Sequence, residues 1–360
     1  MIVPVNLGRR SYTIVVESGA LATVGPRLRA LGVGSRAVLV TDASVHALHA
    51  APVVDSLRGA GFQVTVIEVP AGEAAKTLAV AESCWDRFLT AGLDRTSTVL
   101  ALGGGTVGDL AGFVAATYMR GTHFVTLPTT VLAQVDASSG GKTAINHPLA
   151  KNLIGSFHQP RLVIVDPKVV LTMPERDFRS GLAEMVKHGV VLDAEYFAEL
   201  ERDATLLLAR DLTALEGAIG GSCRIKASVV ERDEQEAELR HVLNYGHTIG
   251  HAIEAVTRYE SLTHGEAVAI GMAAEATLAL RLGIAGDDLP RRQNRLLAAL
   301  GLPVRLPSVD PDAVVTAIGH DKKGRDGRVP FVLAPRIGEF KIVYDIAAGD
   351  VRAVLVELGG

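Results

Sequence analysis

The chain has 360 residues, 48% of them hydrophobic and 21% charged, with a formal net charge of −4. That size and mix suit a globular protein of about two domains, and the charge argues against a nucleic-acid or membrane-surface partner attracted by bulk electrostatics. Cys84 and Cys223 are the only cysteines, which excludes a disulfide framework or a thiolate metal cluster and fits a reducing, cytoplasmic location without a signal peptide.

The first half alternates short β-branched runs with helical stretches. Strands are expected at 3–7, 12–16, 36–41, 63–69, 98–102, 124–127 and 162–166, and helices at 21–31, 44–60, 77–91 and 108–116. Such alternation implies an α/β arrangement, a mostly parallel sheet covered by helices, whose ligands bind at the carboxyl ends of the strands. A domain boundary is expected near 166–174, with the active cleft between the two domains. Beyond it the strand signals vanish, and helices are expected at 177–191, 194–210, 212–233 and 265–282, with short strands near 328–333 and 339–344. The apolar stretch 267–285 contains Glu275 and Arg281. A charge at the bilayer centre costs about 2.5–3.5 kcal/mol, so this reads as a buried helix and no membrane span is expected.

Arg240, Asn244, His247, His251 and Glu254 recur at steps of four, three, four and three, which on one continuous helix puts all five on a single face. Polar groups facing a core cost desolvation that packing alone does not require. The pattern therefore points to a functional site. Asn244-Tyr-Gly246 could instead be a loop entering the helix, which would dephase Arg240 and Asn244. Glu184, Lys187 and His188 lie at i, i+3 and i+4 on another apolar stretch, and His264 opens the next. Glu184, His247 and His264 would make a two-histidine, one-carboxylate set with open positions, as a catalytic Zn²⁺ needs. Spacing alone does not choose these over His251 or His188.

Gly103-Gly-Gly-Thr-Val-Gly108 fits G-x-G-x-x-G after a strand, a pattern that lets backbone N–H groups approach a pyrophosphate. By itself the match carries little, because glycine turns after strands are common. Asp42, at an upstream strand end, could hold a ribose hydroxyl or simply cap a helix. Asp136-Ala-Ser-Ser-Gly-Gly-Lys-Thr143 lacks the spacing of a nucleotide-triphosphate loop. With Lys142, Lys151 and Asn152 it can still hold a phosphate.

Several longer segments resemble dehydroquinate synthases, members of the sugar-phosphate cyclase superfamily. They are Gly103-Gly-Gly-Thr-Val-Gly-Asp-Leu-Ala-Gly-Phe113, Tyr118-Met-Arg-Gly121, Leu127-Pro-Thr-Thr-Val-Leu-Ala-Gln-Val-Asp136, Gly140-Gly-Lys-Thr-Ala-Ile-Asn-His-Pro148, Lys151-Asn-Leu-Ile-Gly155, Glu184-Met-Val-Lys187, Leu243-Asn-Tyr-Gly-His-Thr-Ile-Gly-His-Ala-Ile-Glu254 and His264-Gly-Glu-Ala-Val-Ala-Ile-Gly-Met272. The resemblance implies a Rossmann-like NAD-binding domain at 1–170 and a mainly helical metal- and substrate-binding domain at 171–360. It also implies a homodimer using NAD and one divalent metal, Zn²⁺ or Co²⁺. The implied metal ligands are Glu184, His247 and His264. The implied cofactor contacts, with Asp42 added from its strand-end position, are Glu73, Lys76, Gly105, Thr106, Val107, Gly108, Asp109, Thr129, Thr130, Lys142, Lys151 and Thr172. Catalytic roles fall on Asp136, Lys142, Lys187, Asn244 and His251. Substrate contacts fall on Arg120, Asn152, Lys226, Arg240 and one of Lys322 or Lys323. The substrate implied is 3-deoxy-D-arabino-heptulosonate 7-phosphate, and the products are 3-dehydroquinate and phosphate, a step of the shikimate pathway. Ala71, Thr122 and Ala150 depart from the family pattern. The rival readings are another sugar-phosphate cyclase, an NAD- and metal-dependent polyol dehydrogenase, and a non-catalytic NAD-binding protein.

Overall fold

A computed structural model describes residues 1–258, 261–319 and 329–359. Two compact units emerge, residues 1–173 with 226–235, and residues 174–225 with those from 236 onward. A division at 170/171 assigns 226–235 to the C-terminal half, whereas these residues pack with the first unit.

In the first unit the β-branched runs form β1 (Ile2–Val5), β2 (Tyr12–Val16), β3 (Arg36–Asp42), β4 (Gln63–Val69), β5 (Thr98–Gly103), β6 (His123–Pro128), β7 (Lys142–His147), β8 (Ala150–Phe157) and β9 (Leu162–Val165). Seven of them make one sheet in the order β1-β2-β9-β6-β5-β3-β4. Only β1–β2 is antiparallel; the other neighbours run parallel. Every residue of β5 is buried, as a parallel strand covered on both faces must be. From β3 the chain goes to β4 on one side and then returns to β5 on the other. The order therefore reverses between β3 and β5, and at such a switch point the carboxyl ends of the strands leave a crevice for a ligand. Asp42 and Gly103 end those two strands.

Two local expectations change. The helix expected at 108–116 runs Gly105–Thr117, so the glycine turn itself is its first turn. The segment read as a phosphate loop continues into a separate β7–β8 hairpin. Its second strand is exposed along most of its length and shows no apolar alternation, so no strand signal stood out. Gly155 permits the pairing, because a Cβ there would lie 2.0 Å from the Thr143 carbonyl oxygen.

The second unit is built on helices Glu175–Leu192, Ala194–Leu208, His247–Val256 and His264–Arg281, with Asp288–Ala299, Pro311–Gly319 and Ala348–Gly359 around them. Strands β10 (Phe331–Leu333) and β11 (Lys341–Val343) form a hairpin. Ile249, Ile253, Ile270, Ala274 and Leu278 join Val314, Phe331 and Leu355 in one buried cluster. Small residues set the helix spacing. A Cβ on Gly265 would sit 1.8 Å from the Ser180 carbonyl oxygen, and one on Gly271 would sit 1.9 Å from that of Gly246. These close approaches bring the three candidate metal ligands to one place. No helix among the described residues is long and apolar enough to cross a membrane.

Candidate active site

The single-helix reading of 240–254 divides at Gly246. Leu239–Asn244 is a short 3₁₀ turn, Gly246 adopts φ +77°, and the α-helix begins at His247. Left-handed backbone is open to glycine at little cost. A Cβ here would also meet Met272 Cγ at 2.5 Å. His247, His251 and Glu254 share the helix face, whereas Arg240 and Asn244 belong to the turn before it. The Gly246 amide donates to Glu275 Oε2 at 2.6 Å. Glu275 is fully buried, burial pushes its carboxyl well above the usual range, and it ties the turn to helix His264–Arg281.

Glu184 lies on helix Glu175–Leu192, sealed from solvent, with its carboxylate paired to the equally buried Lys187. Its Oε1 stands 3.4 Å from His247 Nε2 and 3.5 Å from His264 Nε2. One donor atom from each of the three lies within 4.8 Å of the others. Two donors bound at about 2.0–2.1 Å to a tetrahedral Zn²⁺ stand about 3.3–3.4 Å apart, so the spacing and the donor types both fit such an ion. The His264 side chain is 31% exposed, against 12% for His247 and 1% for Glu184, which leaves an approach for a further ligand. Burial opposes a charge on Glu184, yet Lys187 and His247 hold its carboxyl well below the ordinary range. Burial and Lys187 lower the His247 imidazole. Burial also works against charge on His264, but Glu184 and Glu254 outweigh it and raise that imidazole to about 10. His247 Nδ1 faces the Tyr245 carbonyl oxygen at 3.1 Å, which turns Nε2 toward Glu184. His188 has its Nδ1 2.6 Å from the Ser222 hydroxyl and also brings a donor atom within 4.8 Å of one of Glu184's. His251 lies beside the cluster, its ring 5.2 Å from that of His247.

In the first unit Gly104 caps the helix that starts at Gly105. Gly103, Gly104, Gly105 and Gly108 border a small cleft with Pro128 and Ala137. Buried Lys76 donates to Asp109 Oδ2 at 2.6 Å and also to Asn152 Oδ1. Burial is the main cause that raises the Asp109 carboxyl, with Lys76 opposing it. Asn146 completes the network, donating to Glu73 at 2.5 Å and accepting from the Asn152 amide at 3.0 Å. Asn152 sits at φ 59°, a conformation Asn tolerates better than most residues. Lys226 pairs with Asp136 at 2.7 Å.

Comparison with known proteins fits this geometry. Residues 66–180 match the family described as 3-dehydroquinate synthase N-terminal, and residues 181–324 match 3-dehydroquinate synthase C-terminal. A 3-dehydroquinate synthase of Desulforamulus reducens is 48% identical over 354 residues, 98% of this chain and 99% of that one. The chain belongs to the 3-dehydroquinate synthase family. Among solved structures, the 2-epi-5-epi-valiolone synthase ValA of Streptomyces hygroscopicus with NAD⁺ and Zn²⁺ bound is 31% identical. It aligns with a TM-score of 0.87 over 96% of each chain. A 2-deoxy-scyllo-inosose synthase complexed with carbaglucose-6-phosphate, NAD⁺ and Co²⁺ is 25% identical. Its TM-score is 0.88 over 99% of each chain.

In this 3-dehydroquinate synthase family member the remaining predicted positions fall as follows. Gly105, Thr106, Val107, Gly108 and Asp109 form the first turns of one helix. The Thr129 amide donates to Gly103, and Thr130 Oγ1 accepts from the Ala133 amide. Asp42 Oδ1 caps the next helix, accepting from the amides of Ser44 and Val45 and from the Ser44 hydroxyl. Thr172 lies 2.9 Å from His49 Nε2. Arg120, Lys142 and Lys151 are exposed, while Arg240 is buried and Asn244 half-buried. Lys322 and Lys323 lie outside the described residues. The hydroxyl of Thr122, one of the departures, donates to the Ala115 carbonyl. Sequence reasoning missed the Tyr245 carbonyl and the Asn146 bridge. A backbone acceptor leaves no residue-type signal, and Asn146 declares itself only through the hairpin.

Proposed function

We propose that this chain converts 3-deoxy-D-arabino-heptulosonate 7-phosphate to 3-dehydroquinate and phosphate, as a phosphate-eliminating, ring-closing lyase dependent on NAD and one divalent metal, Zn²⁺ or Co²⁺. The observation that carries it is the Glu184, His247 and His264 cluster, at zinc-ligand spacing, in a chain of this family. When bound, the dinucleotide takes up and returns a hydride, and the metal supplies Lewis acidity.

The chain's own residues have distinct tasks. Glu184, His247 and His264 hold the metal. Lys187 steadies the Glu184 charge and presents an ammonium at the same place. The glycine turn Gly103–Gly108 admits the pyrophosphate to backbone N–H groups at a helix start. Asp42, Glu73, Lys76, Asp109, Thr129, Thr130, Lys142, Lys151 and Thr172 complete the dinucleotide contacts. Arg120, Lys142, Asn152 and a C-terminal lysine hold the substrate phosphate by charge-assisted hydrogen bonds. Arg240 and Lys226 take the carboxylate. Asn244 and His251 orient hydroxyls, and His251 with Asp136 moves protons. The active form is a homodimer in the cytoplasm.

Two measurements test this. Phosphate should be released from the heptulosonate phosphate only when NAD and a divalent metal are present. No NADH should accumulate at 340 nm, because hydride is returned in each cycle. Steady NADH formation matching product would favour a polyol dehydrogenase and overturn the reading.

A further inference from the structure

The two candidate metal imidazoles are held differently at their far nitrogens. His247 Nδ1 faces a backbone carbonyl, that of Tyr245, at 3.1 Å. His264 Nδ1 faces a carboxylate instead, Glu254 Oε2, at 3.4 Å, while its Nε2 faces Glu184 Oε1 at 3.5 Å. Glu254 is buried, on helix His247–Val256, seven residues after His247 and three after His251. It thus shares their face, so the helix that supplies one ligand also supplies the support for another.

The backbone of His264 is already fixed. Thr263 and Glu266 form a capping box around the helix start, and Gly265 abuts Ser180. Those contacts set where the Cα lies and leave the ring free to turn about its side-chain bonds. Without an acceptor at Nδ1, either nitrogen could carry the proton, and Nε2 would be bare only part of the time. A ligating histidine needs one bare nitrogen, and an acceptor on the other both fixes the tautomer and raises ligand basicity.

We infer that Glu254 is the positioning residue for His264, accepting the hydrogen bond of its Nδ1–H so that Nε2 is the nitrogen turned toward Glu184 and offered to a metal. The inference rests on the metal-site reading above. It also makes the two histidines unequal: one leans on a neutral carbonyl and the other on an anion, so His264 is the stronger donor. A competing arrangement exists on the same residues. Donor atoms of His251, Glu254 and His264 also lie within 4.8 Å of one another, which would place a second cation on Glu254 itself.

The test uses the full chain, stripped by a chelator and reloaded with Co²⁺, with affinity, stoichiometry and the visible cobalt spectrum as readouts. Wild type should take up one Co²⁺ per chain, and His247→Ala should take up none. If wild type binds no cobalt, or His247→Ala still binds it, the metal-site reading itself fails. Given that site, Glu254→Gln keeps an acceptor but removes the charge, and should weaken cobalt binding about tenfold. Glu254→Ala removes both and should weaken it toward about a hundredfold, the span expected for loss of a histidine's outer partner. The alanine variant should also shift the cobalt spectrum, with glutamine restoring most of it. Wild-type affinity and spectrum in both variants would overturn the inference. So would two cobalt ions per wild-type chain with one lost in Glu254→Ala. Should the alanine variant not fold, wild-type affinity in the near-isosteric glutamine variant overturns it alone.

Discussion

The candidate metal cluster of the second unit and the glycine-turn region of the first are built in opposite ways. Around Glu184 the charges are buried and paired in advance: Lys187 and Glu184 are both sealed from water, and His264 is held between two carboxylates. Around Gly103–Gly108 the donors are backbone groups at a helix start, and Lys142 and Lys151 remain exposed. Buried side-chain charges are costly to leave unpaired, whereas backbone donors and exposed cations lose little when a neighbour changes. Substitutions in the two regions should therefore differ in kind. The first should abolish function, and the second should shift affinity.

The largest effect is expected at His247. His247→Ala removes a proposed ligand and should eliminate bound metal and turnover while the helices persist. Metal analysis with circular dichroism checks this, and full occupancy in the variant would refute the ligand assignment. Arg240→Ala should lower kcat/KM by about a hundredfold or more, given the cost of about 3–5 kcal/mol for a buried charge left without its partner. Comparing the natural substrate with an analogue lacking the carboxylate decides its role. Equal losses on both compounds would show that Arg240 does not hold that group.

A smaller, affinity-type effect is expected in the first unit. Lys151→Met removes an exposed cation from the proposed dinucleotide contacts and should weaken NAD binding about tenfold, or about 1.4 kcal/mol. Turnover at saturating NAD should stay within a few-fold. Calorimetric titration with NAD measures it, and a collapse of turnover with unchanged affinity would erase the contrast between the regions.

The effect with the least bearing on function concerns stability. Burial raises the Glu275 carboxyl above its unfolded value of 4.5. Proton binding by the folded state therefore contributes stability that is full below the unfolded pKa and is lost as pH rises toward the folded pKa. Glu275→Gln keeps an acceptor for the Gly246 amide and does not titrate. Its stability relative to wild type should grow from pH 4.5 upward, by at most about 1.4 kcal/mol per pH unit. Urea midpoints of both proteins between pH 4.5 and 8 give the answer, and parallel curves would mean that Glu275 is not a buried neutral acid.

Local pattern sufficed for much of this protein. The alternation of β-branched runs and helices specified the parallel sheet, because a strand covered on both faces must be mostly apolar, and β5 is buried along its whole length with one polar side chain, Thr98. His247, His251 and Glu254 shared a face on spacing alone, because 3.6 residues per turn leaves no other choice within one helix. Tertiary structure decided the rest. It broke the helix at Gly246, since a left-handed residue depends on its φ and not on apolar periodicity. It turned 142–157 into a hairpin whose exposed strand carries no alternation. It also brought Glu184 within 3.5 Å of two histidines more than sixty positions away, and gave each of those rings a different support. Ligand spacing of that kind is set by how closely helices approach at Gly265 and Gly271, a distance between elements that no single segment encodes.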